Sequence, residues 1–184
     1  VSLLRGGAIL GDYLSLNINA LHYPLVSVKV TAPHNPELAI GAICFDVTYI
    51  NTKIANMLNL SNSQIAKQIK EAEKRFVNYC TRFNVNEKNF DNVKDKIIAI
   101  TDDGVATGST LFAAIEFIKS KNPNQIILVL PIASSDFKIK GVNKSVIVYT
   151  DPSLTAISQY YKNFPQVKDE EIKKLKSLKI NSNL

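Results

Sequence analysis

The sequence has no tryptophan, a single methionine and two cysteines. Cys44 and Cys80 lie in apolar or helical surroundings without the spacing of metal ligands, which predicts reduced core thiols rather than a disulfide framework or a zinc site. No apolar run reaches the length of a membrane span and no signal peptide is visible, so we expect a cytoplasmic chain without membrane contact. With 184 residues, 46% of them hydrophobic, the chain is long enough for one domain with a full core.

Two common phosphate-binding motifs are also missing. No Gly-Lys-Ser/Thr sequence completes a Walker A loop, and the dinucleotide fingerprint G-x-G-x-x-G is absent. Acidic residues are too few to balance the basic ones, since the net charge is +6 and lysines far outnumber arginines. The lysines are scattered rather than clustered with aromatic residues, which favours solvated helix faces and attraction for small polyanions over nucleic-acid binding.

The most informative stretch runs from residue 97 to residue 119. An apolar, β-branched run at residues 97–101 predicts a buried parallel strand, and Asp102 and Asp103 follow at its carboxyl end. A small-residue loop comes next, and Ser109 and Thr110 then open an amphipathic helix. Two adjacent acids before Thr-Gly-Ser-Thr are hard to explain by packing, because a buried acidic pair is costly unless something binds it.

Each part of this stretch suits a sugar phosphate. Backbone N–H groups in a first helical turn bind anions together with the helix dipole, and the hydroxyls of Thr107, Ser109 and Thr110 add donors. Neighbouring carboxylates accept hydrogen bonds from a vicinal diol. A ribose 5-phosphate combines the two groups, although a Gly-rich turn between strand and helix is also common without any ligand.

The stretch resembles the phosphoribosyl pyrophosphate (PRPP) motif of type I phosphoribosyltransferases, in which an apolar strand, two acids and a few small residues precede Thr-Gly-x-Thr. The resemblance implies that Asp102 and Asp103 hold the ribose hydroxyls. It also implies a 5-phosphate loop made of Ala106, Thr107, Gly108, Ser109 and Thr110.

A second resemblance lies near the start of the chain. Leu4-Arg5-Gly6-Gly7 is similar to the pyrophosphate loop that follows the first strand in this family, although close relatives carry proline at the position of Leu4. It implies that Leu4, Arg5, Gly6 and Gly7 bind pyrophosphate and that the Leu4–Arg5 peptide is cis. Gly6 and Gly7 are expected in a turn that lets the backbone approach the ligand.

A third resemblance covers Lys29 and Asn35-Pro36-Glu37, which are similar to the flexible loop of a subfamily of uncharacterised phosphoribosyltransferases from bacteria and archaea. It implies that residues 32–42 form a mobile loop that closes over PRPP, and that Lys29 and Glu37 join Arg5 as catalytic residues. If the resemblance is left aside, the Asn-Pro-Glu sequence predicts a simple turn in which the Asn side chain caps the backbone. His34 is a lone loop histidine with little support as an acid–base group.

The apolar runs predict an α/β fold. Strands are expected at residues 1–4, 25–31, 38–45, 97–101, 125–131 and 145–150, with helices to about residue 17 and over 61–82. The resemblance implies a doubly wound, mostly parallel five-stranded sheet in the order 2-1-3-4-5, with a flexible β-hairpin loop and a small C-terminal hood. We expect a single domain over residues 1–184, with a core to about residue 150 and the hood and a Lys-rich helix in 151–184. Leu154, Tyr160 and Tyr161 are weak candidates for the acceptor side of the hood.

The function implied is Mg²⁺-dependent transfer of ribose 5-phosphate between PRPP and a nitrogen acceptor. Mg²⁺ would be held mainly by PRPP, with Asp102 or Asp103 as the protein contact. Whether the protein forms a homodimer is left open. Ala106 stands where relatives acting on 6-oxopurines often carry Asp, which predicts poor use of hypoxanthine and guanine. The alternatives are a non-enzymatic PRPP or nucleotide sensor with the same fold, and a Mg²⁺-dependent phosphate-ester hydrolase that uses the acidic pair.

Overall fold

The computed structural model describes residues 1–178. Along this range the strands are β1 (Ser2–Leu3), β2 (Pro24–Leu25), β3 (Val28–Ala32), β4 (Asn35–Cys44), β5 (Val47–Ile50), β6 (Ile97–Thr101), β7 (Gln125–Ser134) and β8 (Lys144–Asp151). The α-helices are α1 (Gly6–Ile18), α2 (Thr52–Met57), α3 (Asn62–Arg82), α4 (Ser109–Ser120) and α5 (Asp169–Lys173), and 3-10 helices cover Glu87–Val93 and Ile157–Tyr160. Among the described helices, none has both the length and the apolar character that a membrane span requires.

The main sheet has five strands in the order β2-β1-β6-β7-β8, and all four of its strand pairs are parallel. This arrangement confirms the doubly wound order predicted from the sequence. Ile100, Leu128 and Leu130 of the sheet are fully buried in one core cluster with Leu111 and Ile115 of α4. Because Ser2 pairs with Thr101, the carboxyl ends of β1 and β6 lie side by side at one edge of the sheet.

The strand predicted at residues 25–31 is wrong, because it is two strands in two different sheets. Leu25 belongs to β2 beside β1, whereas β3 begins at Val28 in a separate antiparallel sheet of order β3-β4-β5. Between them the Ser27 hydroxyl lies 2.9 Å from the Thr110 carbonyl oxygen, to which it donates. A continuous apolar pattern gives no signal of this change, since both short strands bury their side chains in the same way.

The predicted loop at residues 32–42 is a β-hairpin in this structure, and its loop is shorter than expected. β3 and β4 pair directly, with Ala32 opposite Asn35, so that the turn consists of Pro33 and His34. His34 has a φ of 62°, and this left-handed conformation after Pro33 is that of the second central residue of a type II turn. Pro33 therefore lies in the turn and Pro36 in β4, so the two prolines do not interrupt the hairpin.

Of three further predictions, which concern helices and their starts, one is confirmed and two need correction. The long helix is confirmed as α3, with Ser61 and Gln64 forming a reciprocal capping box at its start. Gly6 and Gly7 lie in the first turn of α1 rather than in a loop before it. The Lys-rich helix expected near the end of the chain covers only α5, and the Asn-Ser-Asn-Leu tail lies outside the described residues.

Candidate active site

The acidic pair lies at the carboxyl end of β6, in the middle of the main sheet. Both side chains are half-buried, and the backbone N–H of Asp103 donates to Asp102 Oδ1 at 2.9 Å. The pKa of Asp102 is raised well above its usual range, mainly because the side chain is buried and secondly because it lies next to the charge of Asp103. Burial also raises the pKa of Asp103, while Lys29 acts in the opposite direction on the pKa of both acids. Hydrogen-bond donors or a cation would therefore stabilise the ionised pair.

The start of α1 packs directly against this pair. A Cβ at Gly6 would overlap the Asp103 carboxylate, and one at Gly7 would lie 2.8 Å from Asp102 Cα. Since only glycine allows this approach, the positive end of the α1 dipole comes close to the two acids. The two glycines were expected to make room for a ligand, and the atoms they make room for are those of the acidic pair itself.

The loop of residues 106–110 leads from the acidic pair into α4. Gly108 is the N-cap residue of α4, with a φ of 78° and no side chain to cap the helix. A Cβ there would lie 2.5 Å from the Phe137 ring, so both the conformation and the space require glycine. Ser109 is buried, Thr110 and Ala106 are half-buried and Thr107 is exposed. The uncapped first turn of this twelve-residue helix offers N–H groups to an anion.

A cationic cavity lies beside β1 and β3. It has a volume of about 230 Å³, and its lining includes Leu4, Arg5, Lys29, Arg75 and Tyr79. Arg75 comes from α3 and donates from Nη2 to the Lys29 carbonyl oxygen at 2.9 Å. The Leu4–Arg5 peptide next to this cavity is cis, as predicted. Arg75 was not predicted from the sequence. Arginine is rare in this chain, and this rarity could have marked Arg75 as a candidate for phosphate binding.

Comparisons with known proteins show the family of this chain. The family model described as "Phosphoribosyl transferase domain" matches residues 48–159, which include the acidic pair and the loop of residues 106–110. The chain belongs to the phosphoribosyl transferase domain family. Residues 1–47, which hold Arg5, Lys29 and Glu37, lie outside the matched range.

Two curated relatives carry names of this family, and one solved structure is similar in fold. Two proteins of Mycobacterium tuberculosis, MT0597 of strain CDC 1551 and Rv0571c of strain H37Rv, carry provisional phosphoribosyl transferase names; each is 29% identical over 94% of this chain. The chain spans 40% of the length of these curated relatives. The crystal structure of TT1426 from Thermus thermophilus is similar in fold, with a TM-score of 0.62 and 21% identity over 96% of this chain and 85% of that one.

Among the predicted site residues, Glu37 stands apart from the others. It is exposed near the start of β4, and no hydrogen bond or ion pair in residues 1–178 joins its side chain to Asp102, Asp103 or Arg5. Asn35 Oδ1 accepts from the N–H groups of Glu37 and Leu38 at 3.2 and 3.3 Å. Asn-Pro-Glu thus makes a local turn, which is the alternative that the sequence left open.

The predicted hood residues have three different surroundings. The Tyr161 hydroxyl donates to the Asp103 carbonyl oxygen at 2.7 Å, which brings this residue to the acidic pair. Tyr160 is half-buried, with its ring centroid 6.0 Å from that of Tyr149. Leu154 is buried, with 7% of its surface exposed. Of these three residues, Tyr161 is the one that hydrogen-bonds to the acidic pair.

The described residues contain no group of three or more His, Cys, Asp and Glu side chains that could hold a metal ion. Two half-buried carboxylates with raised pKa values nevertheless fit a cation that receives its remaining ligands from a bound substrate. The donor set is therefore compatible with Mg²⁺ that arrives together with a phosphorylated ligand.

Proposed function

We propose that this domain transfers ribose 5-phosphate from PRPP to a nitrogen acceptor and releases pyrophosphate. The observation that carries the proposal is the meeting of three features at the carboxyl ends of β1 and β6. These are the acidic pair, the uncapped N-terminus of α4 and the cationic cavity beside Arg5. They suit, in turn, the ribose diol, the 5-phosphate and the pyrophosphate of a single PRPP molecule.

In this reaction the bond between the anomeric carbon and the pyrophosphate oxygen breaks, and its electron pair leaves with pyrophosphate. The acceptor nitrogen forms a bond to the same carbon and gives up a proton. Positive charge develops on the ribose ring, as in glycoside cleavage, so stabilising the leaving group matters more than a strong nucleophile. Arg5 and Lys29 line the cationic cavity and would offset the charge on the departing pyrophosphate.

The acidic pair orients the sugar. Asp102 and Asp103 would accept hydrogen bonds from the 2- and 3-hydroxyls, while residues 106–110 hold the 5-phosphate. Asp102 or Asp103 would be the protein contact of Mg²⁺ when it is bound, and the ion would supply charge neutralisation for the departing pyrophosphate. The hairpin of β3 and β4 would cover the bound substrate and exclude water, which otherwise hydrolyses PRPP.

The acceptor preference follows from Ala106, whose methyl group cannot exchange a proton with a purine ring. A general base contributes about 10²- to 10⁴-fold to a rate. We therefore expect hypoxanthine and guanine to react about 10²-fold or more slowly than the best acceptor. A group from elsewhere in the site would have to replace the missing base for these purines to be good substrates.

The test is pyrophosphate release from PRPP with Mg²⁺, measured against a panel of nucleobases and small amines. We expect release that depends on one acceptor class, with hypoxanthine and guanine among the slow compounds. PRPP binding without release for any acceptor would instead identify a sensor. Absence of PRPP binding would contradict the proposal, and rapid turnover of hypoxanthine would contradict the inference from Ala106.

A further inference from the structure

The three arginines of the chain are linked through one cavity and one carboxylate. Arg5 and Arg75 line the cationic cavity, and Arg82 follows Arg75 by two turns on α3. The nineteen lysines are spread along the chain, with a denser run near its C-terminal end. Arginine differs from lysine because its planar guanidinium presents several donors to phosphate or carboxylate oxygens in a fixed geometry.

Arg5 and Arg82 share one carboxylate. Asp169 Oδ1 lies 3.5 Å from Arg5 Nη1, and Asp169 Oδ2 lies 3.1 Å from Arg82 Nη1. The Asp169 side chain is 21% exposed and that of Arg5 is 22% exposed, so solvent screens this pair only in part. Asp169 Oδ1 is buried without a hydrogen-bond partner in the described part of the chain, which leaves the Arg5 guanidinium as its counter-charge.

Asp169 is held firmly in place by its own helix. It is the first residue of α5, and Ile172 on the same helix is fully buried in the main core. Glu171 Oε2 accepts from the Lys168 N–H at 2.7 Å and caps the start of the helix. The carboxylate that meets Arg5 is thus attached to an anchored element.

We propose that Asp169 is a positioning residue for the pyrophosphate group of PRPP, acting through Arg5. The proposal rests on the function proposed above. Asp169 engages Nη1 of Arg5 and leaves the other guanidinium N–H groups for phosphate oxygens. By lying between Arg5 and Arg82 it also offsets the repulsion between these two cations. The C-terminal segment, outside the matched family range, thereby takes part in substrate binding.

The first experiment compares Asp169→Asn with wild type in the full chain, using calorimetry with Mg²⁺–PRPP and with Mg²⁺–pyrophosphate. We expect both ligands to bind about tenfold more weakly in the variant, because a freely rotating Arg5 must be ordered on binding. Glu170→Gln is the matched control, since it removes an acid from the same first turn of α5 and should leave both affinities unchanged. Unchanged or tighter binding in Asp169→Asn would overturn the proposal, and tighter binding would mean that Asp169 competes with pyrophosphate.

The second experiment separates positioning from a general loss of structure. In an Arg5→Gln background, Asp169→Asn should cause no further loss of affinity, because the residue through which it acts is gone. Equal losses in both backgrounds would show that Asp169 only stabilises the fold. Asp169→Glu keeps the charge and should recover most of the affinity.

A third measurement needs no variant at position 169. With three arginines in the chain, their Nε–H signals can be followed individually by ¹⁵N NMR. Mg²⁺–pyrophosphate should shift the Arg5 signal in the wild-type protein, and an unmoved Arg5 signal in the bound state would overturn the proposal. A wild-type protein that binds no PRPP at all would overturn the proposed function as well, whereas the other failures leave that function standing.

Discussion

At the scale of single residues, the acidic pair shows the conflict between stability and ligand binding. Burial and mutual repulsion raise the pKa of Asp102 well above its usual range, and burial also raises the pKa of Asp103. A group whose pKa is higher in the folded state binds protons more readily there, so its contribution to stability is lost as pH rises through that pKa. At neutral pH the pair therefore costs folding free energy that a bound ligand can offset.

The Asp102→Asn/Asp103→Asn variant tests this role. It should bind PRPP more weakly, by about 1.5–3 kcal/mol for each charged hydrogen bond lost. The same variant should be more stable than wild type without ligand at pH 7, because the neutral amides remove the buried charge. Calorimetry and urea unfolding measure the two effects, and unchanged PRPP affinity would exclude this site.

The raised pKa values also predict a pH dependence. PRPP affinity should fall on acidification and begin to fall at a higher pH than an ordinary aspartate would cause, because a protonated acid accepts fewer hydrogen bonds. PRPP titrates as well, so the double Asn variant provides the correction for the ligand. A wild-type pH profile that matches the variant's profile would show that the acids do not control binding.

At the scale of elements, the hairpin of β3 and β4 combines an anchored half with an exposed end. Ile40, Ile43 and Cys44 of β4 are buried in the core, whereas His34 to Glu37 are exposed. α3 packs against the same hairpin, with the Arg75 side chain bonded to the Lys29 carbonyl oxygen. Movement is therefore expected at the turn and its first residues rather than across the whole of residues 32–42.

Hydrogen exchange can test this division of the hairpin. The backbone N–H groups of residues 34, 35, 37 and 38 should exchange rapidly in the free protein and slow down when PRPP and Mg²⁺ are added; Pro36 has none. Amides of residues 40–44 should be slow under both conditions and serve as the internal control. Equal exchange at residues 34–38 with and without PRPP would contradict a closing function for the hairpin.

At the scale of the whole molecule, the C-terminal segment joins distant parts of the chain. Tyr161 contacts the acidic-pair loop, and Ser177 donates through both N–H and hydroxyl to Asp12 Oδ1 on α1, at 2.8 and 2.6 Å. The Ser177 hydroxyl also lies 2.8 Å from His22 Nδ1, and burial is the main cause that lowers the pKa of His22 to about 4. These contacts favour one cooperative domain over a separate hood.

Ile172→Ala tests whether this segment belongs to the core. The residue is fully buried, so its truncation should lower the free energy of unfolding by about 2–5 kcal/mol. Ile18→Ala is the matched control, because Ile18 is 63% exposed and the same substitution should cost little there. Denaturant unfolding followed by circular dichroism measures both variants. Equal, small effects would indicate that α5 is only loosely attached.

Much of the site followed from local patterns. The β6 strand, the acidic pair and the start of α4 are contiguous, so the sequence predicted their order and their meeting at a sheet edge. The contribution of Arg75 and the contact of Tyr161 with Asp103 were not predicted, because each joins residues more than forty positions apart in the chain. The burial of Leu154 was not predicted either. The sequence does not distinguish an apolar residue that packs into the core from one that faces a ligand.

The sequence by itself determined the α/β class and the residues at the carboxyl end of β6, and its resemblance to a known family implied the strand order. The class and the position of the acidic pair depend on hydrophobic period and on glycines whose short-range geometry has few solutions. Only the tertiary structure decided that residues 25–31 divide between two sheets, that Gly6 makes room for Asp103 and that Asp169 pairs with Arg5 and Arg82. Such contacts depend on how elements pack in three dimensions, and neither charge nor period along the chain specifies which distant residues will meet.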